Sequence, residues 1–173
     1  MSPIRVVVVE DHPAVRMGLC YTLEQARDIQ VIGSASTGRE ALGLVRRLKP
    51  DVILLDIHLP GLNGLNLVRA VFQAQANVRI LVLSAQDDQQ FVDEVLRIGV
   101  MGYLSKDEAL ADIVEAVRRA FRGERGWIGK QMAARIYWRR RTQRRRQSSL
   151  ALSQLQFLRL INNGRTIPEF GQN

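Results

Sequence analysis

The chain has 173 residues, of which 46% are hydrophobic and 24% are charged. This composition is ordinary for a globular protein and excludes wholesale disorder. The longest apolar runs are too short to cross a bilayer, and the first residues lack the layout of a signal peptide. We therefore expect a cytoplasmic protein without membrane contact, and the single cysteine, Cys20, excludes an intrachain disulfide.

The formal net charge of +8 is unevenly distributed along the chain. Residues 1–126 hold 15 Lys+Arg against 16 Asp+Glu, a net charge of −1, whereas residues 127–173 hold 10 against 1, a net charge of +9. A shift of this size marks a change of segment. We predict a folded domain over residues 1–126, a basic helical linker over residues 127–149 and a third segment over residues 150–173.

Short β-branched runs alternate with longer helical patterns through the first segment, which is typical of βα units and a parallel sheet. The near-continuous apolar character of the runs indicates strands that are covered on both faces. The predicted strands are Ile4–Val9, Gln30–Ser34, Val52–Leu55, Arg79–Leu83 and Gly102–Leu104. Five helices are expected, and apolar residues at helical spacing cover Pro13–Gln25, Arg39–Leu48, Gln89–Ile98 and Glu108–Phe121.

Polar side chains follow four of the five predicted strands. Glu10 and Asp11 follow the first strand, Asp56 the third, Ser84 the fourth, and Ser105 with Lys106 the fifth. The crevice beyond the carboxyl ends of the strands is where such sheets bind ligands. One acidic residue at a strand end is usually a solvated carboxylate or a helix cap, but the joint occurrence of these residues indicates a site.

Three carboxylates held close together repel one another unless a cation shares the site. Magnesium suits this site best, because Mg²⁺ combines a few carboxylate ligands with water and phosphate oxygens. Asp56 would then act as a nucleophile that accepts a phosphoryl group as an aspartyl phosphate. Lys106 would neutralise the phosphoryl oxygens, and Ser84 would bind the transferred group.

Several motifs together resemble the receiver domain of two-component response regulators: VVVVEDHPAVRMGL, DVILLDIHLPGLNGLNLV, ILVLSA and GYLSKD. The resemblance covers roughly residues 4–122. It implies a flavodoxin-like α/β fold, a doubly wound five-stranded parallel sheet of order 2-1-3-4-5 with a helical C-terminal extension. It also implies phosphorylation of Asp56 by a sensor histidine kinase. Such a protein catalyses its own phosphorylation and dephosphorylation, and we do not class it as an enzyme.

The resemblance assigns a role to each residue of the acidic site. Asp11 and Asp56 are expected to be direct magnesium ligands, and Glu10 a ligand acting through water. His58 is expected to contribute its backbone carbonyl, not its side chain.

A hydroxyl and an aromatic residue match the family's switch pair. Ser84 resembles the hydroxyl that turns towards the phosphoryl group, and Tyr103 the aromatic ring that then moves inward. A half-buried strand aromatic is the alternative interpretation of Tyr103. The EDHP opening and the KD after the fifth strand resemble the NarL/FixJ subfamily, whose members usually bind DNA through a LuxR-type helix-turn-helix.

The last segment resembles only the beginning of that module. In LSQLQFLRLINNG, apolar residues recur at helical spacing, but the helix that would read bases in the major groove is missing from this chain. We interpret residues 150–173 as a partial helix-turn-helix remnant. DNA contact is then expected only through phosphate-binding arginines, for which a solvated linker face is the alternative. These arginines are Arg139, Arg140, Arg141, Arg144, Arg145 and Arg146.

We therefore predict a response regulator that is phosphorylated on Asp56 and then changes its homodimerisation or its transcriptional output. Two alternatives place the function in the basic tail. The first is a nucleic-acid-binding protein, and the second is an inhibitor that forms heterodimers with a full-length relative.

Overall fold

The computed structural model describes residues 2–60, 64–85, 89–134 and 137. The six strands in this part are β1 (Ile4–Val9), β2 (Ile29–Ala35), β3 (Val52–Asp56), β4 (Arg79–Ser84), β5 (Gly102–Ser105) and β6 (Trp127–Ile128). The five helices between them are α1 (Pro13–Glu24), α2 (Gly38–Leu48), α3 (Gly64–Ala74), α4 (Gln89–Ile98) and α5 (Leu110–Phe121). Residues 130–134 are also helical.

The strands form one parallel sheet in the order β2-β1-β3-β4-β5-β6. The predicted α/β class and the order 2-1-3-4-5 are confirmed, but the predicted count of five strands misses β6. Trp127 pairs with Gly102, and Ile128 pairs with Tyr103. A strand of two residues is too short to show a period of two, and these residues lie beyond the predicted end of the domain at residue 126.

The alternation of side chains along the strands builds two apolar cores, one on each face of the sheet. Val7 and Val9 of β1 belong to the core that includes residues of α2, α3 and α4. Val6 and Val8 belong to the core that includes residues of α1 and α5. Because both faces are covered, strands of a parallel sheet can be apolar at nearly every position, as β1 is apart from Arg5 and β3 is apart from its last residue, Asp56. The polar residues of the central strands are therefore found mainly at the carboxyl ends of those strands.

Candidate functional site

Three carboxylates meet at the carboxyl ends of β1 and β3. Glu10 and Asp11 directly follow β1, and Asp56 is the last residue of β3. One carboxylate oxygen from each of the three lies within 4.8 Å of the other two. Glu10 and Asp56 are 0% and 1% exposed, whereas Asp11 is more open to solvent. The structure thus brings together the three acidic residues that the sequence singled out.

Lys106 supplies a cation to this acidic pocket from the end of β5. Its Nζ donates hydrogen bonds to Asp56 Oδ2 at 2.7 Å and to Glu10 Oε1 at 2.9 Å. Its backbone N–H donates to the carbonyl of Ser84, which ties the ends of β4 and β5 together. Burial alone would lower the pKa of Lys106, but the hydrogen bonds and charges of Asp56 and Glu10 outweigh it and raise that pKa. The ammonium form is therefore favoured.

Backbone amides orient two of the carboxylates. His58 N–H donates to Asp56 Oδ1 at 2.9 Å, and His12 N–H donates to Glu10 Oε1 at 3.2 Å. Each carboxylate oxygen of Asp56 thus accepts a hydrogen bond, one from the His58 amide and the other from Lys106 Nζ. These hydrogen bonds hold the Asp56 carboxylate in a fixed orientation, from which it can act as a nucleophile or as a metal ligand.

The donor set fits a divalent cation. Lys106 contacts Glu10 and Asp56, and Asp11 adds a third carboxylate to the cluster. Oxygen-only ligands are those that Mg²⁺ and Ca²⁺ prefer. Glu10 Oε2 is buried, and although it lies 2.8 Å from Lys106 Nζ, it accepts no hydrogen bond within the described residues. This oxygen is therefore ion-paired with Lys106 and has no hydrogen-bond donor among the described residues. The acidic cluster can therefore hold a metal ion.

Arg16 is a residue of this site that the sequence reasoning missed. From the first turns of α1, its Nη1 donates to the backbone carbonyl of Glu10 at 2.6 Å and to that of Asp11 at 3.2 Å. The guanidinium group thereby fixes the acidic turn and places a positive charge beside it. The position of Arg16 a few residues after an acidic pair, on the helix that follows, is the signal that could have indicated it.

The predicted switch pair lies inside the fold. Ser84 is fully buried, and its Oγ lies 3.2 Å from His58 Nδ1, a contact that the sequence did not predict. Tyr103 is 0% exposed and belongs to the core on the α2–α4 face. The alternative interpretation of Tyr103 as a half-buried aromatic therefore understates its burial. The ring is thus fully buried in this structure, and its part in the switch stays a prediction.

The remaining predicted contacts fall outside the described residues. This applies to the arginines of residues 139–146 and to the helix-turn-helix remnant of residues 150–173. Within the part of the chain that the structure describes, no helix is long and apolar enough to cross a membrane.

A parallel α/β sheet that carries an acidic pocket and a lysine at its carboxyl edge defines a receiver-type signalling domain. Residues 6–118 match the family model of the response regulator receiver domain, and the chain belongs to this family.

Named relatives agree with this assignment. The chain is 36% identical over 172 residues to the transcriptional regulatory protein LiaR of Bacillus subtilis, covering 98% of this chain and 81% of LiaR. It is 35% identical over 133 residues to the response regulator GacA of Pseudomonas aeruginosa, covering 77% of this chain but only 62% of GacA. The receiver domain of the putative response regulator NarL from Mycobacterium tuberculosis superposes with a TM-score of 0.68. That domain is 36% identical, and the match covers 72% of this chain and 100% of that domain. The predicted NarL/FixJ-type resemblance is confirmed.

Proposed function

We propose that this chain is the phosphoacceptor of a two-component system and that Asp56 receives the phosphoryl group. The observation that carries the proposal is the geometry of Asp56. Its carboxylate is buried, receives hydrogen bonds from Lys106 Nζ and the amide of His58, and lies in a cluster with Glu10 and Asp11. A buried carboxylate that is held in place beside a metal-binding cluster is a suitable nucleophile for phosphorus.

The metal of this proposal is Mg²⁺. Asp11 and Asp56 would bind it directly, Glu10 would bind it through water, and His58 would add its backbone carbonyl. When bound, the ion neutralises the charge of the phosphoryl oxygens during transfer. The position of one carboxylate oxygen from each of Glu10, Asp11 and Asp56 within 4.8 Å of the other two supports this ligand set.

The chain's own groups perform the remaining steps. An oxygen of Asp56 attacks the phosphorus of a phosphohistidine on the sensor histidine kinase, so that an O–P bond forms and the N–P bond breaks. Lys106 keeps its ammonium charge beside the phosphoryl group. Ser84 Oγ leaves His58 and donates a hydrogen bond to a phosphoryl oxygen. Tyr103, on the neighbouring strand β5, is the aromatic partner of this switch. Attack of water on the phosphorus later breaks the O–P bond, which regenerates the Asp56 carboxylate and releases inorganic phosphate.

The output of this switch is homodimerisation or a change in transcription, in the cytoplasm. LiaR, to which the chain is similar over nearly its whole length, is named a transcriptional regulatory protein. We also propose that the receiver domain ends at residue 126, that the basic linker ends at residue 149, and that the tail contacts DNA. The receiver turns over no external substrate, so we do not propose an enzyme.

The net charge of +9 in residues 127–173 favours a second candidate, a nucleic-acid-binding tail that the receiver regulates. Binding through phosphates should weaken steeply as salt is added. Replacing Arg139, Arg140 and Arg141 by glutamine should reduce both the affinity for duplex DNA and its salt dependence. Unchanged affinity would exclude this candidate and leave a heterodimerising inhibitor as the alternative role of the tail.

The phosphoacceptor proposal is tested by intact-protein mass after incubation with acetyl phosphate and Mg²⁺. We expect the wild type to gain one phosphoryl group. We expect no gain in Asp56→Asn or when EDTA replaces Mg²⁺. The variant Asp51→Asn is the matched control, because Asp51 precedes β3 at its opposite end and accepts a hydrogen bond from the amide of Arg5. Equal gains in the wild type and Asp56→Asn would exclude Asp56 as the acceptor.

A further inference from the structure

Glu108 is a buried acidic residue that takes no part in the acidic pocket. It is 5% exposed and lies between β5 and α5. Its Oε1 accepts hydrogen bonds from the backbone N–H groups of Gln131 at 2.9 Å and of Met132 at 3.2 Å. These amides lie in the first turn of the helical residues 130–134, where N–H groups have no partner within the helix. The carboxylate therefore caps this helical turn from a distant part of the chain.

The capped turn belongs to a segment seated on β5, residues 127–134, which we call the docking segment. Gly129 N–H donates to the carbonyl of Tyr103 at 3.0 Å, and Lys130 Nζ lies 2.8 Å from Asp112 Oδ1. Met132 is fully buried in the same apolar core as Tyr103. The docking segment thus covers the strand that carries the predicted switch aromatic.

Gly129 of the docking segment lies directly against the carboxylate of Glu108. A Cβ atom at Gly129 would lie 2.1 Å from Glu108 Oε1, so only glycine allows the carboxylate to reach the two amides. Glu108 Oε2 is buried and accepts no hydrogen bond within the described residues. The cap therefore depends on a single oxygen, and a small displacement of Glu108 is sufficient to weaken it.

Glu108 and Lys106 are held in one tight turn. Glu108 N–H donates to the carbonyl of Ser105 at 3.1 Å, and Asp107 N–H donates to Ser105 Oγ at 3.2 Å. The side chain of Lys106 reaches Asp56 in the pocket, while the side chain of Glu108 reaches the docking segment. Because only Asp107 separates Lys106 from Glu108, we expect a shift of Lys106 to change the position of Glu108.

We propose that Glu108 couples the phosphoacceptor pocket to the chain that follows β6. Before phosphorylation the Glu108 carboxylate holds the docking segment on β5. When Asp56 carries a phosphoryl group, Lys106 moves onto that group, Glu108 moves with the turn, and the docking segment is released from its cap. This coupling relies on the proposed phosphorylation of Asp56, whereas the cap itself does not.

Hydrogen–deuterium exchange of the full chain tests the cap and the coupling separately. In Glu108→Ala the amides of residues 131 and 132 should exchange about tenfold faster or more, because both lose a hydrogen bond to a charged group. Exchange in β1 and β3 should stay unchanged. Glu124→Ala is the matched control, because Glu124 is an exposed glutamate that pairs with Arg119 and Arg122, and it should leave both amides protected. Unchanged exchange in Glu108→Ala would overturn the cap.

A second variant covers the case in which Glu108→Ala does not fold. Gly129→Ala keeps the carboxylate but places a methyl group where Oε1 lies, and it should accelerate the same two amides. Slow exchange in Gly129→Ala would also overturn the cap.

The coupling is tested by exchange of the wild type after acetyl phosphate and Mg²⁺, with phosphoryl uptake measured by mass in the same sample. Uptake should accelerate exchange at residues 131 and 132 towards the rate of Glu108→Ala. Uptake without faster exchange would refute the coupling and leave the proposed function intact. No uptake would refute the proposed function and the coupling together. The exchange rates of Glu108→Ala and Gly129→Ala would still show whether Glu108 caps the docking segment.

Discussion

Replacing Asp11 by asparagine should stabilise the chain when no divalent cation is present. One carboxylate oxygen from each of Glu10, Asp11 and Asp56 lies within 4.8 Å of the other two. Two unit charges about 4 Å apart repel by about 4 kcal/mol at an effective dielectric constant of about 20. Because Asp11 is the most exposed of the three, solvent screens much of this repulsion, and we expect the variant to gain about 1 kcal/mol.

The same substitution should remove most of the stabilisation that Mg²⁺ gives to the wild type. A ligand at about 100 times its dissociation constant adds about 2.7 kcal/mol to the free energy of unfolding. The loss of one carboxylate charge weakens Mg²⁺ binding, so the variant should gain far less at the same concentration. The assay is urea unfolding in EDTA, in MgCl₂ and in NaCl of equal ionic strength.

Asp28→Asn is the control, because it makes the same chemical change at an aspartate that is paired with a positively charged residue and not with other carboxylates. Arg118 donates two hydrogen bonds of 2.8 Å to the Asp28 carboxylate. Both groups are partly exposed, so this variant should lose about 0.5 kcal/mol, with or without Mg²⁺. The reasoning is refuted if Asp11→Asn is destabilised in EDTA, or if Mg²⁺ stabilises it as much as the wild type.

Three further predictions concern stability. The hydrogen bonds from Arg118 lower the pKa of Asp28 in the folded chain. The ionised Asp28 therefore contributes fully to the free energy of unfolding above the unfolded-state pKa of about 3.9, and this contribution is lost at lower pH. The difference in stability between the wild type and Asp28→Asn should disappear as the pH falls through this range. Lys106→Met leaves two buried carboxylates facing each other and should cost about 2 kcal/mol in urea unfolding, part of which Mg²⁺ restores; a cost independent of Mg²⁺ would argue against a shared site. Leu54→Ala opens a cavity at a fully buried position of β3 and should cost about 3 kcal/mol with no dependence on Mg²⁺.

Most of the sheet could be predicted from the sequence, because the central strands are buried on both faces and are therefore mainly apolar. The prediction missed β6, because two residues carry no detectable period and Trp127 pairs with a strand that is distant in sequence. It also began the last helix at Glu108, whereas α5 begins at Leu110. The reason is that the N–H of Glu108 closes a turn onto Ser105 and its side chain caps the docking segment.

The acidic pocket could be predicted because parallel strands deliver their last residues to one edge of the sheet. Its three carboxylates and its lysine could therefore be identified from their positions after the strands. The contact of Ser84 with His58 and the bonds from Arg16 to the acidic turn could not be predicted in this way. They depend on side-chain directions in loops and helices, which no strand pattern specifies.

The most direct test of the phosphoacceptor assignment is to map the phosphoryl group to a residue after reaction with acetyl phosphate and Mg²⁺. We predict that peptide mass mapping places it on Asp56 and that hydroxylamine removes it, as expected for an acyl phosphate. A hydroxylamine-resistant phosphoryl group on Ser84, Ser105 or another hydroxyl would contradict the assignment. A phosphoryl group that peptide mapping places on His58 would also contradict it.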